Sequence, residues 1–127
     1  MKYLKFNQDQ YGVDGLIGLV AGDDWQLKAQ VIDINGTAQE PASLSDVVGA
    51  SAFFPAASGG SFAGVVQINN AQYGWITLSA ASGNTVGAQL SDVGLIPFIT
   101  VQDSVGLQTI ISVDQPLKIQ QRGSFSY

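Results

Sequence analysis

A chain of 127 residues with 46% hydrophobic content is long enough and apolar enough to fold as one domain around its own core, which argues against disorder. It has no cysteine and no histidine, which excludes a disulfide framework, a thiolate nucleophile, a Cys-based zinc site and a histidine general base. Charged residues are only 12%, about half of the roughly 25% usual in soluble domains, and the net charge is −5, with the few cations scattered at Lys2, Lys5, Lys28, Lys118 and Arg122, so nucleic-acid binding is disfavoured.

Residues 1–9 are interrupted by polar side chains and contain neither an apolar signal core nor a small-residue cleavage site. No run approaches the roughly 18 apolar residues that a spanning helix needs. The expectation is a complete, cytoplasmically made product that does not use the ordinary export route and has no membrane partner.

Residues 1–20 read as an N-terminal arm or a first strand, with Tyr3, Leu4, Phe6 and Tyr11 set among Asn, Gln and Gly. Period-two alternation then dominates. Trp25, Leu27, Ala29 and Val31 alternate with Gln26, Lys28 and Gln30, the pattern of a half-buried strand, and Asp33-Ile34-Asn35-Gly36 supplies a tight turn. Residues 49–54 place Ala50, Ala52 and Phe54 on one face before Pro55, and residues 56–61 form a small-residue loop.

Residues 65–69 and 75–79 are predicted as two short strands with Val66, Ile68, Ile76 and Leu78 directed to the core, joined by a hairpin loop at 70–74. Residues 44–48 and 80–90 are expected to be turns or single 3₁₀ segments. Residues 93–103 and 107–113 form a second hairpin about Ser104-Val105-Gly106. Pro116 then interrupts the chain, so residues 117–120 are expected at a sheet edge or beyond a bulge.

Seven to eight short strands separated by Gly, Pro and Asn turns indicate an all-β, antiparallel β-sandwich of immunoglobulin-like type, with extended N- and C-terminal tails. A small closed barrel is the competing architecture. The sandwich is assigned to residues 21–121 and the C-terminal tail to residues 122–127. No internal repeat, linker or low-complexity tract divides the chain.

Chemistry is scarce. Asp23-Asp24 is the one adjacent acid pair, and neighbouring strand positions point to opposite faces, so a solvated loop is the simpler reading. Asp33-Ile34-Asn35-Gly36 lacks the further carboxylates of a calcium loop, and neither Gly12-Val13-Asp14-Gly15 nor Ser58-Gly59-Gly60-Ser61 opens a helix after a strand. None of the 12 serines has a histidine to activate it, and no spacing supports a Ser–Lys dyad with Lys28 or Lys118. No catalytic residue, metal site or cofactor is predicted, and the chain is not expected to be an enzyme. Two sets of residues suit binding. Tyr3, Phe6, Tyr11, Phe125 and Tyr127 are aromatic anchors for assembly contacts, and Tyr73, Trp75, Asn69 and Asn70 would make a glycan platform.

Several elements resemble the immunoglobulin-like domain of bacteriophage tail and baseplate proteins, of the kind at the N-terminus of upper baseplate proteins. The residues concerned are Ala21-Gly22-Asp23-Asp24-Trp25-Gln26-Leu27, Val31-Ile32-Asp33-Ile34-Asn35-Gly36, Ala42-Ser43-Leu44-Ser45-Asp46-Val47-Val48-Gly49-Ala50 and Gln72-Tyr73-Gly74-Trp75-Ile76-Thr77-Leu78. The resemblance spans residues 21–120 and carries no catalytic residues. It implies a virion structural protein, located in the particle after synthesis in the host cytoplasm, whose partners are other virion proteins and copies of itself. The long C-terminal extension of that family is absent, which implies a stand-alone tail, baseplate or head accessory component. Low charge with 13 Gln and 12 Ser agrees, because such faces lose less on desolvation than Lys and Glu faces do. The alternative is a carbohydrate-binding β-sandwich module.

Overall fold

The structure, a computed structural model, describes residues 2–112 and 115–121. Among them lie the strands β1 (Lys2–Phe6), β2 (Ile17–Ala21), β3 (Trp25–Asn35), β4 (Ala38–Pro41), β5 (Gly49–Pro55), β6 (Ser61–Asn70), β7 (Trp75–Ala80), β8 (Ser91–Leu95), β9 (Phe98–Asp103), β10 (Gly106–Ser112) and β11 (Leu117–Gln121). One turn of helix, α1 (Ser82–Thr85), follows β7, and a 3₁₀ turn spans Gln8–Gln10.

The alternation in β3 fixes which way the sheet faces. Trp25, Leu27, Ala29 and Val31 are all buried, and Gln26 and Lys28 are exposed. Eight strands form one ladder in the order β1-β10-β9-β5-β6-β7-β3-β4. β1 belongs to both of its sides. It runs antiparallel to β3 from Lys2↔Asp33 to Phe6↔Ala29, and parallel to β10 at Tyr3↔Ile111 and Leu4↔Ser112.

Strands β1, β3, β7 and β6 therefore make one layer and β5, β9 and β10 the other, which is the ABED and CFG division of an immunoglobulin-type sandwich. The layers meet through Trp25 of β3 and Phe54 of β5, edge to face at 5.4 Å, with Phe62 of β6 stacked on Phe54 at 5.5 Å. The expected all-β sandwich is the architecture observed. Hydrogen bonding continues round both seams, through β1 on one side and the β5–β6 hairpin on the other, which gives the sandwich the continuous ladder of a barrel.

The second sheet, β2-β11-β8, is built from the chain between β1 and β3, the chain between β7 and β9, and the chain after β10. Each of those connections leaves the sandwich at the end marked by Trp25, Ala80 and Phe98, so the small sheet caps that end. Ile17, Leu117 and Ile119 carry the core into it.

Three expectations change. Residues 93–103 are not one strand: Pro97 cannot donate to a ladder, and the chain passes there from β8 in the small sheet to β9 in the large one. Residues 117–120 lie not at an edge but in the middle of the small sheet, between β2 and β8, with a register shift between Leu117 and Ile119. The count of seven to eight strands omitted β2 and β4. β4 has all four residues exposed, so no alternation marks it. In β10 it is Ile110 and Ser112 that face inward, whereas Leu107 is exposed.

Candidate functional site

The N-terminal aromatics sit within the chain's own fold. Phe6 is 2% exposed and Leu4 fully buried, because both face inward from β1, so the first-strand alternative describes residues 2–6 and the arm does not. Phe6 as an assembly contact is corrected on that ground. Tyr11 is half-buried against the core. Tyr3 faces outward beside Ile32, also half-buried. Phe125 and Tyr127 lie outside the described residues.

The outer face of the β1–β3–β7–β6 layer is organised in rows. Lys5 pairs with Gln30 and Gln30 with Trp75, which puts three side chains from three strands on one face at one level, and Asn70 of β6 lies opposite Trp75 beyond a register shift that follows Ile68. A second row holds Lys28, Thr77 and Gln67, and a third holds Gln26, Ser79 and Val65. Trp75 is 37% exposed. An open cleft of about 390 Å³ lies beside it, lined by Lys5, Asn7, Gln8, Asp9 and Gln30.

The turn before Trp75 holds two amides in place. Gln30 Nε2 donates to the carbonyl of Tyr73 at 3.0 Å, and Asn70 Oδ1 accepts from the Tyr73 N–H at 3.4 Å. A carbonyl needs a donor and an N–H needs an acceptor, so the backbone of Tyr73 dictates how both amides are turned. Gln30 Oε1 is left to accept and Asn70 Nδ2 to donate, one on each side of Trp75. Asn69 is turned toward the second row, where its Oδ1 accepts from Thr77 Oγ1 at 2.7 Å, and its Nδ2 is a further donor on this face. The Tyr73 ring is exposed in the turn. Of the glycan residues expected from sequence, the fold thus gathers Trp75, Asn70 and Tyr73 about one turn, sets Asn69 against the next row, and adds Lys5, Gln30 and Asn7. Those three lie on strands or turns far away in sequence, and cross-strand register carries no local signal.

Exposed aliphatic side chains gather at the two ends. At one end, Val48 and Leu107 flank Gln102 of β9, Val105 occupies the β9–β10 turn, and a 3.0 Å hydrogen bond from Ser104 Oγ to Asp46 ties the two loops together. At the capped end stand Val13, Val86, Leu90 and Val93.

Two carboxylates, those of Asp24 and Asp14, are engaged in local structure. Asp24 accepts from the N–H of Ser82 at 2.8 Å at the start of α1, and the Asp23 carbonyl accepts from Thr85 Oγ1 at 2.7 Å. Lys118 pairs with Asp14 at 3.1 Å, and its hydrogen bond and charge hold that carboxyl below the usual aspartate value. Among the described residues no group of three or more acidic, Cys or His side chains could hold a metal ion, and no helix is long and apolar enough to cross a membrane. A scan against protein-family models finds no match, and a search of curated proteins finds none either.

Proposed function

We propose that this protein is a structural component of a bacteriophage particle, in a tail, baseplate or head accessory layer, acting through contacts between copies of itself and with other virion proteins. The observation that carries the reading is the placement of exposed aliphatics. Val48, Val105 and Leu107 are 81%, 82% and 74% exposed at one end, and Val13, Val86 and Val93 are 112%, 69% and 86% exposed at the other. Apolar groups gathered at two opposite ends, with a mainly polar flank between that carries few charges, suit a subunit that buries its ends against neighbours.

Two unlike ends favour a head-to-tail contact, which closes into a ring or continues as a filament according to the rotation between copies. The immunoglobulin-type strand order and the resemblance of residues 21–120 to phage baseplate domains point the same way. Light scattering on the purified chain and imaging of parent particles test the reading together. Concentration-dependent association and density for this chain in the particle are expected. A strictly monomeric protein that is absent from purified particles would overturn it.

A further inference from the structure

We propose that the outer face around Trp75 is a binding site for an oligosaccharide of neutral hexopyranose rings, separate from the two apolar ends. A pyranose ring has a flat C–H face and a rim of hydroxyls. It therefore asks for an aromatic plane beside fixed donors and acceptors, which is the composition of the Lys5–Gln30–Trp75–Asn70 row. With strands about 4.8 Å apart, the row runs roughly 14 Å across the sheet, long enough for a short oligosaccharide rather than a single ring.

Pre-organisation is the second support. Gln30 and Asn70 are held by the carbonyl and the N–H of one residue, Tyr73, so the amides flanking Trp75 are oriented before any ligand arrives. Their outward atoms form a complementary pair, an acceptor from Gln30 and a donor from Asn70, and each sugar hydroxyl can both donate and accept. Less side-chain entropy is then lost on binding.

Charge and surroundings select the class of ligand. The cleft beside Trp75 carries one cation, Lys5, and one carboxylate, Asp9, and so has no net charge with which to favour a uronate or sulfated chain. A protein partner would look for aliphatic neighbours around the Trp. On one side the adjoining row is Lys28, Thr77 and Gln67, with Val65 a further row away; on the other it is Tyr3, Ile32 and Pro41, in which Ile32 is buried and Pro41, on β4, is the exposed aliphatic group.

Fluorescence titration of the full chain tests the site, because Trp75 is the exposed tryptophan and Trp25, 3% exposed, is shielded from ligand. The probes are cellohexaose, maltohexaose and mannohexaose, with hexagalacturonate as the charged comparison. Saturable change with at least one neutral hexaose is expected, weakened roughly tenfold or more by Trp75→Ala and several-fold by Gln30→Ala, with melting temperatures near wild type. Calorimetry reads the Trp75→Ala variant, whose own signal is gone, and Gln30→Ala keeps the test open if that variant fails to fold. No saturable binding of any neutral hexaose, binding of hexagalacturonate alone, or neutral-glycan binding untouched by both substitutions would overturn the proposal. Failure of self-association would leave it standing, since the two readings use different surfaces.

Discussion

Gly74 and Val31 meet backbone to backbone. The Val31 N–H donates to the Gly74 carbonyl at 2.8 Å, and a Cβ on Gly74 would stand 2.5 Å from the Val31 oxygen and 2.8 Å from that of Ala42. Gly74 also has φ +74°, in the left-handed region. Only glycine satisfies both conditions, and Trp75 is the next residue. Gly74→Ala is expected to destabilise the fold by about 2–4 kcal/mol, the sum of left-handed strain and a backbone clash. Gly15 has φ +77° with open space around it, so Gly15→Ala isolates the strain and should cost about 1–2 kcal/mol. Denaturant midpoints of the two variants check the difference; equal losses would mean that the close approach contributes nothing.

Thr85 fastens α1 to the β2–β3 turn. It is fully buried, its Oγ1 accepts from the Gly22 N–H at 3.0 Å, and its hydroxyl donates to the Asp23 carbonyl. Thr85→Val keeps the shape and removes the hydroxyl's bonds to the Gly22 N–H and to the carbonyls of Asp23 and Ser82. A loss of about 1–3 kcal/mol is expected, largely recovered in Thr85→Ser. Hydrogen exchange at the Gly22 amide should rise in the valine variant alone.

What could be read from the sequence was whatever repeats every two residues. The Trp25–Val31 alternation gave the orientation of β3, and Ile76 and Leu78 were correctly directed to the core. Asn70 to Gly74 was legible as a hairpin loop because its residues favour turns. Pairing between distant strands was not legible. Nothing in Lys5 or Gln30 announces that they share a level with Trp75, since register depends on how the whole sheet closes. Strand β4 escaped because no face of it is buried, and the break at Pro97 was hidden in a continuous apolar run. The cap sheet draws on three separate stretches of chain, none of which has a complete pattern of its own.

Acid should weaken one surface pair. The Asp14 carboxyl is held below 3.8, the ordinary aspartate value, by its hydrogen bond and charge contact with Lys118. A lowered folded-state pKa means that the contribution is fully present above the unfolded value and is lost as pH falls through the folded one. Both side chains are partly solvated, at 30% exposure for Lys118 and 43% for Asp14, so the effect is small and screened by salt. Melting temperatures of wild type and Asp14→Asn should differ slightly at neutral pH and low salt, and converge on acidification or in high salt. A gap that widens in acid would contradict the assignment.

The two apolar ends make a sharper prediction than loss of association alone. Leu107 and Leu90 are exposed on opposite ends, so a lysine at either should change folding stability by no more than about 0.5 kcal/mol. In a head-to-tail contact, one end of each copy meets the other end of the next. Leu107→Lys and Leu90→Lys should then each be monomeric by light scattering, because each spoils one half of every interface. Mixed together they retain one intact end apiece, the Leu90 end of the first variant and the Leu107 end of the second, and should form pairs that grow no further. If like ends meet instead, only one of the two substitutions will disturb assembly and mixing will restore nothing. The mixing experiment therefore separates a ring or filament subunit from a simple two-fold dimer using the same two proteins.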